Sequence, residues 1–517
     1  MKIKNFKYSK SNYENIDEDK KLNESANKKM DIDEIMRQIG EFGRSQFLSL
    51  IILCLIMIPA SYQTYLITFV GINPPWTCNH GSIECNKTGV FFANHEFYNK
   101  RCSMKRESWR FIKKKQFSIV TEWDLVCEKL AATYAVFTVI QVGDIIGSIA
   151  FGVASDRYGR KNVLFLTWFG YLLISFAAAF VNNIWVFVTI QFINGIFKGG
   201  VFVILFVLIN ELLGPKYKIY SHFLWCAYTL GLCLLPVQAW LLQNWRIFII
   251  LVSAPYLILI VSYKFVPESV VWLHSKKRKN SAEKILFDIA KFNKKAGFEI
   301  KLLSCSIDPD EDKKTSLKYV FTPWTVCLST TLQVLIWFSI GLAYSGITLS
   351  SENLSGNLYR DFTIVSGIDI PAGLIVIFLS NKLGCRRTTL LANVFGGLTI
   401  MVLAFVPEIK NLSLLRIFLG VMGKFLVSIS SIVVYAWSSE IYPTAIRSQG
   451  IGVCSASYVV GSASAPWIGQ FLGYINHILP YFIIGASLLL SGVFCYFLPE
   501  GNRKSIVQPL KNDDLIL

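Results

Sequence analysis

Long apolar runs alternate with short polar stretches along almost the whole chain. A helix needs about 20 mostly apolar residues to cross a bilayer. On that measure the pattern predicts twelve spanning helices, at 47–70, 131–154, 162–181, 184–210, 223–243, 247–263, 325–349, 362–381, 388–407, 412–437, 448–474 and 477–499. The polar stretches predict the rest of the organisation: a tail over 1–46, a six-helix bundle over 47–266 with a long loop at 71–130, a linker with short helices over 267–324, a second six-helix bundle over 325–499, and a tail over 500–517. The first span lies well inside the chain, so no cleaved signal peptide is expected. The expected fold class is an all-α membrane protein.

Composition agrees: 53% of the 517 residues are hydrophobic and 16% charged, too apolar a mixture for a water-soluble protein of this size. Basic residues gather in short loops on the inner face. With the amino terminus inside, Arg157, Arg160, Lys161, Lys216, Lys218, Lys382, Arg386, Arg387 and Arg447 lie on the inner side, against Arg246, Arg360 and Lys410 outside. Both termini are therefore expected in the cytoplasm, and the lipid bilayer accounts for the net charge of +17 without a nucleic-acid partner. Much of that charge lies in the linker, where "HSKKRKN" reads as a solvated helical spacer beside anionic lipid.

Four of the twelve cysteines, Cys78, Cys85, Cys102 and Cys127, fall in the long outer loop. An even set outside the cell predicts two disulfides, with three pairings open. Zinc is the weaker reading, since no CxxC pair or close histidine cluster accompanies them. The glycan acceptors "NKT" at Asn86 and "NLS" at Asn353 also fall outside.

The two bundles repeat each other. "ASDRYGRK" recurs as "LSNKLGCRR", with Ser155 matching Ser380 at an offset of 380 − 155 = 225. Glu211 and Glu440, at the ends of the fourth and tenth spans, differ by 440 − 211 = 229, and "PES" recurs as "PEG". This predicts two pseudo-symmetric halves in the same orientation with a substrate path between them. Asp156, Arg157, Arg160, Glu211, Lys382, Glu440 and Arg447 then read as a charge lock at the inner ends of the helices, Glu211 and Glu440 being the partners expected for Arg157, Arg160 and Arg447. The alternative is that the basic residues only set topology.

Four charges fall inside predicted spans, where a lone one costs about 2.5–3.5 kcal/mol on an insertion scale. Asp144 and Asp369 share the offset of 225, and Lys198 and Lys424 are 424 − 198 = 226 apart. They read either as internal salt bridges or as counter-ions in a central cavity. Dispersed histidines, with no HExxH pair, GxSxG elbow or P-loop, leave no enzyme, metal, cofactor or nucleotide site to expect.

The sequence resembles the major facilitator superfamily, and within it the organic cation, organic anion and carnitine transporters. The resemblance rests on "DEIMRQIGEFGRSQ", "FSIVTEWDLVCEK", "GVASDRYGRKNV", "AYTLGL", "VPESVVWL", "SGNLYRDF" and "EIYPTAIR", and so covers nearly the whole chain. The glutamine-rich motif of the sugar porters is absent from "TLQVLIWFSIGLAYSGI". The resemblance implies a plasma-membrane uniporter or exchanger of amphiphilic organic ions working by alternating access. It places Asp369, Lys198 and Lys424 at charged positions of the site and Tyr228, Trp337 and Tyr344 at aromatics that line the cavity. Two departures stand out: Val459 replaces the charged residue of the eleventh span, and Asp144 stands where relatives have an aromatic. Asp144 is therefore expected to supply the missing carboxylate, which favours an organic cation or a carnitine-like zwitterion. The alternatives are an organic anion exchanger centred on Lys198 and Lys424, a sugar-porter-like carrier, and a non-transporting receptor or scaffold.

Overall fold

The structure is a computed structural model. It describes residues 32–500 apart from 80, 81, 83, 86, 87, 93–96, 296–319, 323, 408, 443–445 and 477. Among the described residues twelve helices are long and apolar enough to cross a membrane: Arg44–Val70, Cys127–Tyr158, Arg160–Ala178, Ile184–Leu212, Lys216–Leu242, Trp245–Lys264, Trp324–Leu349, Leu358–Ser380, Cys385–Phe405, Ser413–Ile441, Gln449–Gly473 and Ile478–Phe497. They are spans 1 to 12 below. Such a helix satisfies its backbone groups internally, as hydrocarbon demands. Side chains such as Ile149, Val153, Leu374 and Phe378 lie exposed on the outside of the bundle, where lipid solvates them.

Two hydrophobic cores form. One joins spans 1 to 6 with Leu358 and Phe362 of span 8; the other joins spans 7 to 12. Span 2 packs on span 11 and span 5 on span 8, and these pairs form the seam between the halves. The repeat is visible in the turns. Gly159 (φ +109°) ends span 2 and Gly384 (φ +85°) ends the helix of span 8, a left-handed geometry that favours glycine, at the same offset of 384 − 159 = 225.

Span 8 departs from the continuous helix predicted over 362–381. It consists of Leu358–Gly367 and Asp369–Leu383, with Ile368 between them. Pro371, in the first turn of the second piece, has no N–H to give to the preceding turn, so the break falls where that bond is missing. Span 6 likewise tightens to 3-10 geometry over Ala254–Lys264, beginning at Pro255.

Two small units lie at opposite ends of the bundle. The long loop pairs β1 (Trp76–Cys78) antiparallel with β2 (Trp109–Phe111), Trp76 opposite Phe111. Its core is Trp76, Cys85, Phe91, Tyr98 and Trp109. Disulfides join Cys78 to Cys85 and Cys102 to Cys127, the two bridges expected, and their pairing is now defined. At the other end, Ile32–Ile39 packs Ile35, Met36 and Ile39 against Val270–Ser275 and Lys279–Phe292. Asn293 fastens this unit, accepting from Ser45 N–H at 2.9 Å and donating to the Ile39 carbonyl and the Gln46 amide oxygen.

Candidate functional site

In the first half, spans 2 and 4 are held together by glycines. A Cβ at Gly143, Gly147, Gly195 or Gly199 would overlap the facing backbone, so only hydrogen allows this approach. The contact sets Lys198 Nζ 3.0 Å from Asp144 Oδ2. Lys198 is 2% exposed and also reaches Gln141 Oε1 at 3.4 Å. Gln141 in turn donates to Ser462 of span 11 at 2.9 Å. Asp144, expected to supply a carboxylate for a cation, is here in the internal salt bridge that is the other reading of these charges, answered by a lysine of the same half.

The second half is built differently. Asp369 sits at the break in span 8, in the first turn of the following helix, where the helix dipole favours a carboxylate. It accepts hydrogen bonds from the Tyr344 hydroxyl at 2.6 Å and the Ser428 hydroxyl at 2.5 Å. Among the described residues no ion pair joins it to a cation, Lys424 included. Lys424 is fully buried and turns instead to Thr348 Oγ1 at 2.8 Å and the Tyr344 carbonyl at 3.4 Å, with its ammonium 2.9 Å from the centre of the Tyr344 ring. Tyr344 thus touches both the acid and the base. The partners Gln141, Thr348 and Ser428 escaped the sequence reading. Their signal is spacing, Gln141 lying three residues before Asp144 and Ser428 four after Lys424, on the same helix faces.

Between the two lysines runs an arc of rings. Phe202, under Lys198, touches Tyr228; Trp225 touches Tyr228 and Tyr435; Trp337 touches Tyr435 and Tyr458; Tyr458 touches Tyr344. Trp337 does not line a cavity as expected. It is fully buried and donates to Gln333 at 3.1 Å and Ser438 at 3.0 Å, supporting Tyr435, whose ring lies 4.3 Å away and is 37% exposed. Tyr228 is 7% exposed and also serves mainly as support. Tyr435, the most open ring of the arc, carries no charge or motif that would have marked it in sequence.

Every hydrogen bond between the halves lies toward the end that carries the long loop, among the described residues. Trp467 donates to Thr138 at 2.6 Å, Gln141 donates to Ser462 at 2.9 Å, Ser345 bonds to Tyr65 at 3.4 Å, Thr138 donates to the Ala463 carbonyl, and Cys233 approaches the Thr363 carbonyl. At the opposite end the halves meet through the Trp225 and Tyr435 rings, 6.4 Å apart. A separate cleft of about 960 Å³, lined by Phe92, Lys113, Trp240, Tyr359 and Arg360, opens at the loop end away from these charges.

Among the described residues the charge lock is realised in one half and within it, not across the seam. Arg160 bridges Asp156 at 2.5 Å and Glu211 at 3.5 Å, joining the start of span 3 to the end of span 4. Glu268 of "PES", read in sequence only as a landmark, accepts from Lys161 N–H at 2.9 Å, and Trp272 donates to the Asp156 carbonyl. Arg157 does not pair with Glu211 but lies over Tyr158, and Lys382 lies over Phe378. Glu440 makes no ion pair among the described residues, and the Arg447 side chain falls outside them. Instead Glu500 of "PEG" approaches Arg387 at 4.0 Å, both partly exposed. Asn86 lies outside the described residues. Asn353 falls in the short helix Glu352–Ser355, with its side chain also outside them.

Twelve spans in two repeated halves, each with a buried lysine and a half-buried aspartate near its middle, define a membrane transporter of the major facilitator type. Residues 90–506 match the family model described as sugar (and other) transporter. The chain is 31% identical over 405 residues to human organic cation/carnitine transporter 2, covering 76% of this chain and 71% of that one. It is 26% identical over 532 residues to mouse solute carrier family 22 member 3, covering 93% and 95%, and 27% identical over 489 residues to the Xenopus laevis protein solute carrier family 22 member 15-like, covering 93% and 96%. The chain belongs to the sugar (and other) transporter family and, within it, to solute carrier family 22. These relatives are transporters, not enzymes. Among solved structures, the partially occluded inward open form of the Escherichia coli xylose transporter XylE shares the fold, with a TM-score of 0.62, 18% identity, and coverage of 89% of this chain and 99% of that one.

Proposed function

We propose that the protein carries an organic cation or a carnitine-like zwitterion across the plasma membrane by alternating access, with Asp369 as the carboxylate that meets the substrate's cationic group. The observation that carries this reading is the state of Asp369: half-buried at a helix break, held by two neutral hydroxyls, and in no ion pair with a cation among the described residues. Asp144 is matched by Lys198 at 3.0 Å and has no charge left over. A substrate ammonium entering beside Tyr344 and Tyr435 would meet ring faces worth about 2 kcal/mol when water is excluded. Lys424, bonded to Thr348 and a carbonyl and not to an acid, supports the zwitterionic version, in which it faces the substrate carboxylate.

The seam supports alternating access. Among the described residues, hydrogen bonds fasten the halves at the loop end while one ring contact joins them at the other, the arrangement of a carrier facing the side opposite the long loop. In the orientation proposed, with both termini cytoplasmic, the loop with its disulfides lies outside the cell and the site faces inward. The charge lock then steadies spans 3 and 4 of one half as a unit that rocks against the other.

The test is uptake of labelled tetraethylammonium, carnitine and p-aminohippurate into cells expressing the chain, with the membrane potential clamped at two values. Tetraethylammonium or carnitine uptake is expected, with tetraethylammonium flux rising as the interior becomes more negative. Uptake of p-aminohippurate alone would overturn the assignment and move the site to Lys198 and Lys424.

A further inference from the structure

The long loop contains a feature that transport does not use. Arg101, in the 3-10 turn Tyr98–Ser103, is 3% exposed. Its guanidinium lies over the Tyr98 ring at 4.0 Å and 5.7 Å from the centre of the Trp109 ring, inside the aromatic core of the loop. Its Nε and Nη1 have no hydrogen-bond acceptor. The indole Nε1 of Trp109, 2% exposed, has none either. A buried charge without a partner is among the costliest things a fold can hold, and buried donors are nearly always satisfied.

Among the described residues, the neighbouring carboxylates are engaged elsewhere or exposed. Glu84 accepts from Lys105 N–H at 2.8 Å and Ser108 Oγ at 3.1 Å. Asp124 pairs with Arg106 at 3.0 Å, and Glu122 with Arg246 at 2.7 Å. Glu107 and Glu128 are exposed. Arg246 offers the contrast. Less deeply buried, it is met by Glu122, by the carbonyls of Ala179 and Val181, and by Asn182. Arg101 has the greater burial and neither an acid nor a carbonyl on those two nitrogens.

Among the described residues what remains is a set of donors and no acceptor: two from a fixed positive charge and one from an indole, within one small core. Such a set complements a species that only accepts, and a small one sits most readily among side chains this deeply buried. We propose that Arg101 and Trp109 bind a small monovalent anion of the halide class, chloride in physiological media, as a structural part of the long loop. The ion would supply the counter-charge that the described carboxylates of the loop do not, in a loop pinned by the Cys78–Cys85 and Cys102–Cys127 bridges. The assignment is independent of the transported substrate.

The experiment is thermal unfolding of the purified full-length protein, followed by tryptophan fluorescence, in sodium chloride, bromide or gluconate at constant ionic strength. Because an ion that binds only the folded state stabilises it, a saturable rise in Tm of about 3 °C is expected from gluconate to chloride or bromide. Arg101→Gln, which removes the charge, should abolish the halide dependence. Trp109→Phe, which removes the N–H and keeps a ring, should weaken the apparent halide affinity about tenfold, the worth of one hydrogen bond to a charged group. Equal Tm values for the unaltered protein in all three salts would overturn the proposal. So would a halide response left unchanged by Trp109→Phe, whether or not the Arg101 variant folds.

Discussion

The two halves descend from one plan and treat their buried charges in opposite ways. In the first, four glycines let spans 2 and 4 touch backbone to backbone, and the acid and base they carry close into an ion pair. In the second, span 8 is broken beside its aspartate, and Tyr344 lies against both the acid and the base. A Cβ at Gly373 of span 8 would find its nearest neighbour, the Ile432 side chain, at an ordinary 3.8 Å. Close packing of spans 2 and 4 thus closes one acid–base pair, while in the second half the close glycine contacts fall between spans 7 and 11, at Gly341 and Gly461, and the acid and base of spans 8 and 10 meet through Tyr344 without forming an ion pair. A shared pattern of charges does not imply a shared role; the residues between them decide it.

The largest expected effect separates the two aspartates. Asp369→Asn should lower cation uptake at least about 30-fold at normal surface expression, the low end of what losing one member of a buried charge pair costs. Asp144→Asn should instead strand Lys198 in the protein interior, at about 3–5 kcal/mol, and appear as loss of folded protein at the surface. Flux per surface molecule, measured for both, breaks the comparison if Asp144→Asn lowers turnover while leaving abundance intact.

Glycine substitutions sharpen it next. Gly199→Ala would drive a methyl group into the Asp144 carbonyl and against Ser148 N–H, and should destabilise by about 1–3 kcal/mol. Gly373→Ala, in open packing, should change Tm little or raise it. Equal losses at the two sites would show that spans 2 and 4 and spans 8 and 10 pack alike.

A smaller effect is expected at the seam. Trp467→Phe removes the N–H that bonds Thr138 across the halves, worth about 0.5–1.5 kcal/mol, and should shift the population toward the state open at the loop end by about two- to tenfold. Reaction of an impermeant thiol reagent with a cysteine placed at Ser462 reads that shift, and an unchanged rate would mean that the seam does not gate access.

The smallest lies in the long loop. Hydrogen bonds from Lys105 N–H and Ser108 hold the Glu84 carboxyl below its ordinary pKa. A depressed carboxylate contributes stability that is present above its unfolded pKa and lost as pH falls through the folded one. The loop should therefore loosen slightly in acid, below the ordinary carboxylate range, and Glu84→Gln should remove that slope. Hydrogen exchange at the amide of Lys105 as a function of pH measures it.

The twelve spans and the repeat were legible because bilayer thickness and the charged turns write themselves into composition and spacing. The buried charges were legible as a set for the same reason. Their pairing was not, since whether Lys198 reaches Asp144 depends on glycine contacts between helices distant in sequence, and whether Lys424 reaches Asp369 depends on where Tyr344 lies. Trp337 shows the same limit: its position drew notice, but its indole faces Gln333 and Ser438 inside the bundle, and the open ring is Tyr435. The acid that meets the motif turn in the first half, Glu268, was in view as a landmark and revealed as a partner only by the fold.

The fastening at Asn293 has a topological consequence. Because the helix before span 1 and the helix after span 6 lie side by side, tied by that one amide to Ser45, Ile39 and Gln46, the first half closes on itself like a buckled belt. Its two ends are held by contacts of its own, and continuity with the second half adds nothing to that closure. A chain severed between the two halves would therefore keep the buckle, and the pieces would have only the seam to find.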